Sequence, residues 1–185
     1  MNPYWIEIKR ILSSKRHAKQ SWLNQGAKAD QIADLELHVG HQLPESVKDL
    51  LSTHDGENRG PGLMYGYQML SVVEIRASWD NWRAIDEKGM NEDCAVFMSS
   101  SPVGFIKPFY TNRHWIPLAH DWGGNYIGLD FDPDIKGTVG QVIRYGRDED
   151  EKKLIATTHN AFLGLLVTDL DKTKWTGEYL DWPRA

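Results

Sequence analysis

Three short β-rich runs, Trp115–Ala119, Tyr126–Phe131 and Val139–Tyr145, follow one another with only brief breaks of glycine, aspartate and proline between them. Breaks this short cannot hold the crossover that parallel neighbours need, so the runs pair as an antiparallel meander. The whole stretch, WIPLAHDWGGNYIGLDFDPDIKGTVGQVIRYG, is also dense in aspartate, glycine and aromatic residues. A ligand cradle or a metal loop must therefore be weighed beside the meander.

Around it the periodicity is helical. Asn2 and Pro3 supply a cap and a first-turn proline ahead of Trp5, Ile8 and Leu12 at helical spacing. ADQIADLELHVG repeats the period through Ile32, Leu35 and Val39, and Gly40 suits the position just past its end. LPESVKDLLSTHDG gives a third, short helix with Pro44 in its first turn. The polar, glycine-rich Glu57–Gly62 segment then leads to LMYGYQML, which reads as a strand. SVVE, Ser71 to Glu74, has capping-box spacing and predicts a helix through IRASWDNWRAIDEK, with Trp79 and Trp82 on one face. Asn91–Asn112 reads as an irregular insertion holding one strand. KKLIATT adds a fourth meander strand, and Thr158 caps a closing helix with Phe162, Leu165, Leu166 and Leu170 inward. Helices around a meander make an α+β fold, a single domain over 1–185 in which helices pack on a mostly antiparallel sheet.

Composition narrows the classes. At 185 residues, 41% hydrophobic and 25% charged, the chain can build a core without metal or disulfide. Its one cysteine, Cys94, excludes an internal disulfide and a CxxC zinc site and points to a reducing compartment. No signal-peptide pattern and no membrane-length apolar run is present, so a cytoplasmic protein is expected. A formal charge of -5 argues against direct nucleic-acid binding and is compatible with a basic protein partner. The eight tryptophans are read first as core packing and second as a partner surface.

No catalytic motif emerges. Asp130, Asp132 and Asp134 alternate as in the opening of a calcium loop, but Ile135 and Gln141 stand where its turn glycine and bidentate glutamate belong. Those aspartates are read instead as a strand end and a turn. Gly123, Gly124 and Gly128 match no phosphate-binding pattern and are read as turn formers. His38 and His41 lack further zinc ligands, and Cys94 beside Asp93 and Glu92 is a poor nucleophile. No cofactor and no metal is expected.

Five blocks in order, ELHVGHQLPESVKDLLSTHDG, YQMLSVVEI, WIPLAHDWGGNYIGLDFDP, GTVGQVIRYG and ATTHNAFLGLL, resemble the SMI1/KNR4 family of the SUKH superfamily from about Ala29 to Leu166. The family's pattern falls on Leu43, Pro44, Leu51, Gly56, Leu70 and Glu74, and in the meander on Trp115, Pro117, Asp121, Gly124, Asn125, Asp130, Gly140 and Gln141. The resemblance implies helices on a mostly antiparallel sheet, no catalytic residues, and a protein partner. Bacterial members are regarded as immunity proteins that neutralise toxins, often nucleases, and fungal members as scaffolds in cell-wall synthesis. The N-terminal helix with Trp5 and Trp22, and the tail KWTGEYLDWPRA, look like additions to a core of about 29–166.

The expectation is therefore a non-catalytic bacterial immunity protein that binds a cognate basic toxin. A regulator or scaffold of the cell-wall type is the alternative, ahead of a small-ligand binder or enzyme. The expected partner face combines carboxylates for steering with aromatic anchors: Asp121, Asp130, Asp132 and Asp134 beside Trp122 and Tyr126. Glu57 in its loop and the Trp79/Trp82 helix are the next surfaces expected to make contact.

Overall fold

A computed structural model describes residues 2–15, 22–58, 62–177 and 179–182. Five helices precede or flank the meander: α1 Pro3–Ser14, α2 Ala29–Val39, α3 Glu45–Thr53, α4 Val72–Arg83 and α5 Glu87–Cys94. A sixth, α6 His159–Lys172, closes it. The strands are β1 Gln68–Met69, β2 Ser99–Ser101, β3 Trp115–His120, β4 Asn125–Asp130, β5 Gln141–Gly146 and β6 Glu151–Ala156, with a terminal pair β7 Lys174–Trp175 and β8 Leu180–Asp181. The first six form one sheet in the order β1-β3-β4-β5-β6-β2. Every pairing in it is antiparallel except β2 on β6.

The start signals act where the sequence places them. Asn2 accepts from the Tyr4 amide at the head of α1. Ser71 and Glu74 cap α4 reciprocally, and Thr158 accepts from Ala161 at the head of α6. Gly40 ends α2 with φ 73. The α4 helix is shorter than IRASWDNWRAIDEK suggests. It stops at Arg83, and Asp86 caps a separate α5 through Gly89, because an aspartate able to bond a nearby amide favours a new start over continued helix. LMYGYQML contributes only the two residues of β1, since Tyr65 (φ 56) and Gly66 (φ 89) turn the chain before it.

Strand alternation splits the meander into two faces. Ile116, Leu118, Ile127, Leu129 and Val142 join the large core beneath the helices, whereas Trp115, Ile143 and Tyr145 form a smaller cluster with Ile106 on the other face. The Asn91–Asn112 insertion covers that second face. Gly128 does not serve a turn: it lies inside β4 opposite Pro117, beside a register shift in β3. A Cβ there would lie 2.3 Å from the Ile116 carbonyl oxygen, so glycine lets the two backbones approach.

The expected additions are integral to this packing. Trp5, Ile8 and Ile11 of α1 are buried in the large core, and α1 packs on α6. In the tail, the Trp175 ring meets Trp22 at 4.6 Å and the Trp182 ring meets Tyr65 at 4.9 Å, both in tilted contact. Residues 178 and 183–185 of that tail lie outside the described residues. Among the described residues no helix is long and apolar enough to cross a membrane.

Candidate functional site

The turn between β3 and β4, DWGGN, is built by one carboxylate. Asp121 Oδ1 accepts from the Gly123 and Asn125 amides at 2.7 and 3.0 Å, and its Oδ2 from Asn125 Nδ2 at 2.7 Å. Burial pushes the carboxyl up, but these donors outweigh it and hold its pKa below the usual range. Gly124 completes the turn at φ 100. Between them Trp122 takes φ 66, a left-handed conformation that L-residues with a Cβ avoid.

Trp122 is the exposed member of the eight tryptophans. Its relative exposure is 71%, while the other seven are buried or half-buried. Its ring rests on His120 at 3.9 Å. Burial lowers the pKa of His120, with Glu74 and Asp121 opposing that shift, and its Nε2 is buried without a hydrogen bond. Beside the indole lies a shallow groove of about 320 Å³, lined by Asn24, Asn58, Gln68, Ser71 and Glu74, with Glu57 at its base.

The turn between β5 and β6 sits at the same end of the sheet. The Arg147 amide donates to the Gly124 carbonyl at 3.0 Å and the Asp148 amide to Asn125 Oδ1 at 2.9 Å. This seats Arg147 and Asp148, the latter opening the run Asp148, Glu149, Asp150, Glu151, against the DWGGN turn. Sequence reasoning passed over this run, although four consecutive acids after a strand are a visible charge signal. The groove-lining Asn58 and Gln68 carried no such signal.

The other expected residues do not join this face. The six residues of β4 separate Asp121 and Trp122 from Asp132 and Asp134 by roughly 20 Å at strand rise. The four aspartates thus occupy two opposite ends of the meander. Asp130 is fully buried, accepting from Trp115 Nε1, Gln141 Nε2 and the Asp132 amide, so it cannot meet a partner. Asp132 is occupied by Lys107 at 2.5 Å and Asn112 at 3.0 Å, and Asp134 accepts from the Ile135 amide. Tyr126 packs between Trp82, His120 and Tyr145. Trp79 donates to the Arg113 carbonyl at 2.9 Å and meets His38 edge-on, whereas Trp82 turns to Tyr110 and Tyr126. These three rings pack the second face and the α2–α4 contact rather than presenting anchors.

Glu57 is also internal. It is 2% exposed and accepts from the Leu63 and Met69 amides, clamping the loop that carries Tyr65 and Tyr67. Burial raises its pKa to about 7 against the lowering effect of those amides. Residues 59–61 of the expected Glu57–Gly62 surface lie outside the described residues. Among the described residues no group of three or more His, Cys, Asp or Glu is placed to hold a metal ion.

The sequence profile of the SMI1/KNR4 family (SUKH-1) matches residues 26–164, most of the chain. The chain belongs to the SMI1/KNR4 family. Its similar relatives include a protein of Schizosaccharomyces pombe named as a cell wall biosynthesis/cell cycle regulator, 31% identical over 92% of this chain and 36% of its own length. A glucan synthesis regulatory protein of Neurospora crassa is 28% identical over 92% of this chain and 38% of its own. The cell wall assembly regulator SMI1 of Saccharomyces cerevisiae is 29% identical over 92% and 40%. This SMI1/KNR4 chain thus spans 36 to 40% of the length of these three relatives. They are named as regulators rather than enzymes, which favours the regulatory alternative over the toxin-neutralising expectation.

Proposed function

We propose that this chain is a protein-binding module of a cell-wall synthesis regulator, and that it holds a cationic segment of its partner at the Trp122 end of the sheet. The observation that carries the site is the combination at one residue: a tryptophan left exposed, in a backbone conformation that costs free energy. Strain of this kind persists where surrounding structure enforces it, and here the Asp121 turn does so.

The chemistry of the surroundings selects a cationic partner. Glu74 lines the groove beside the indole, and among the described residues the lining contains carboxylates and amides but no cation. An indole face attracts lysine or arginine by cation–π interaction, and the nearby carboxylates steer approach. The regulatory part of the proposal rests on the names of the relatives.

A segment exchange tests it. The matching segment of the Schizosaccharomyces pombe regulator is replaced by this chain, and growth is measured on medium containing a cell-wall-perturbing dye. Growth at the level of the unaltered regulator is expected. A chimera that behaves like a deletion of the segment, at normal protein level, overturns the reading.

A further inference from the structure

A second cleft opens on the helix-facing side of the sheet, where helices no longer cover it. Ala119, Ile127, Arg144 and Lys153 form one row across β3 to β6, each the direct partner of the next. Ala119 and Ile127 belong to the large core; beyond them the row ends in two cations. There the cleft holds about 450 Å³, floored by Ile127, Leu154 and Ile155 and walled by Tyr65, Tyr67 and Trp182. That volume lies within the range of about 300–1,000 Å³ typical of ligand sites.

Three features set this cleft apart from a packing defect. Like charges placed directly opposite on neighbouring strands destabilise a sheet, yet Arg144 faces Lys153. Their acidic partners come from the adjoining turn and strand, with Glu149 at 3.0 Å from Arg144 and Glu151 at 3.5 Å from Lys153. The nearer pair runs from Arg144 Nε, itself buried, to Glu149 Oε1, and among the described residues the charged members of the cleft lining are these two cations alone. Lastly, Tyr65 joins Trp122 in a left-handed conformation, φ 56, with its hydroxyl donating to Asp169 at 3.1 Å and its ring 4.9 Å from Trp182.

We infer that this cleft binds a short acidic peptide segment of a protein partner, seating an apolar side chain between the aromatic wall and the Ile127–Ile155 floor and a carboxylate on Arg144 and Lys153. Arg144, its Nε kept on Glu149, meets the incoming carboxylate through the terminal nitrogens of its guanidinium, and Lys153, more exposed, exchanges Glu151 for it. Tyr65 and Trp182 supply apolar area at low entropic cost, because their rings already pack against each other. The site is opposite in charge preference to the Trp122 groove and does not rest on it. The loop clamped by Glu57 is the wall between them, with Gln68 on one side and Tyr65 and Tyr67 on the other.

The test uses the full chain, ¹⁵N-labelled, titrated with the capped pentapeptide Glu-Leu-Glu-Phe-Glu and, separately, with Lys-Leu-Lys-Phe-Lys. Expected are saturable amide shifts at Tyr65, Tyr67, Ile127 and Lys153–Ile155 with the acidic peptide only. Arg144→Gln/Lys153→Gln should weaken that binding at least tenfold, and Trp182→Ala should weaken it too. Trp122→Ala should leave it unchanged, which separates this site from the groove. Should the double variant fail to fold, exposed Lys153→Gln alone decides, with about threefold weaker binding expected. Absent or scattered shifts, equal binding of the basic peptide, or binding indifferent to these substitutions overturns the inference.

Discussion

The indole N–H of Trp115 donates to Asp130 at 3.2 Å, and the two residues also stand directly opposite each other on β3 and β4. The pair ties a large buried ring to a buried carboxylate within one rung of the ladder. Truncating the ring opens a cavity, so Trp115→Ala should cost about 3–5 kcal/mol. Trp115→Phe, which mainly removes the donor, should cost about 1–2 kcal/mol. Denaturant unfolding measures both, and a cost below about 1 kcal/mol for the alanine variant contradicts this placement.

Gly128→Ala should be damaging although glycine there has no unusual φ, because the new methyl meets the Ile116 carbonyl oxygen at 2.3 Å. Overpacking against backbone costs about 1–3 kcal/mol or more. The same unfolding experiment checks it, and a neutral result means that β3 and β4 are further apart than described.

Glu57 predicts a pH dependence of definite sign. Burial raises its folded pKa to about 7 from 4.5, so the folded state holds the proton more tightly than the unfolded chain. The stability this confers is fully present below about pH 4.5 and is lost as pH rises through about 7. A shift of this size corresponds to on the order of 3 kcal/mol. Asp130, raised by burial to about 6, acts in the same direction at lower pH. His159, lowered by burial to about 3, acts oppositely, losing stability as pH falls below 6.5. Comparison with Glu57→Gln cancels both. The wild type should lose 1 kcal/mol or more relative to the variant, roughly, between pH 5 and 8; parallel curves contradict the buried, partly protonated clamp.

Trp122→Gly should leave the fold as stable or more stable by about 1 kcal/mol, since glycine relieves the left-handed backbone. Loss of the His120 contact limits the gain. A residue that lowers stability where it stands is explained by what it does for binding. Destabilisation above about 1 kcal/mol on thermal or denaturant unfolding would instead make Trp122 a structural residue.

Much of the fold was legible because local chemistry decided it. Caps at Asn2, Ser71 and Thr158, the Gly40 terminus and the period-2 runs of the meander are short-range signals. The candidate site was legible only in part. Trp122 and Asp121 stand on a turn that the sequence marks, whereas the grouping of Asp121 with Asp132 assumed that residues near in sequence are near in space. A six-residue strand between them defeats that assumption. Asp130 misled for another reason: its carboxylate finds Trp115 and Gln141 only once the sheet is formed, and nothing local distinguishes it from a turn aspartate. The Arg144–Lys153 cleft depends on register between strands and on the returning tail, which no single window contains.

The central claim is that the Trp122 end of the sheet holds the partner. It is tested most directly by placing Trp122→Ala and Asp132→Asn separately in the chimeric Schizosaccharomyces pombe regulator and measuring growth on the wall-perturbing dye, with protein level followed by immunoblot. The account predicts that Trp122→Ala abolishes growth at undiminished protein level, while Asp132→Asn, at the far end of β4 and already engaged by Lys107, leaves it intact. Full growth of the Trp122→Ala chimera would contradict the claim.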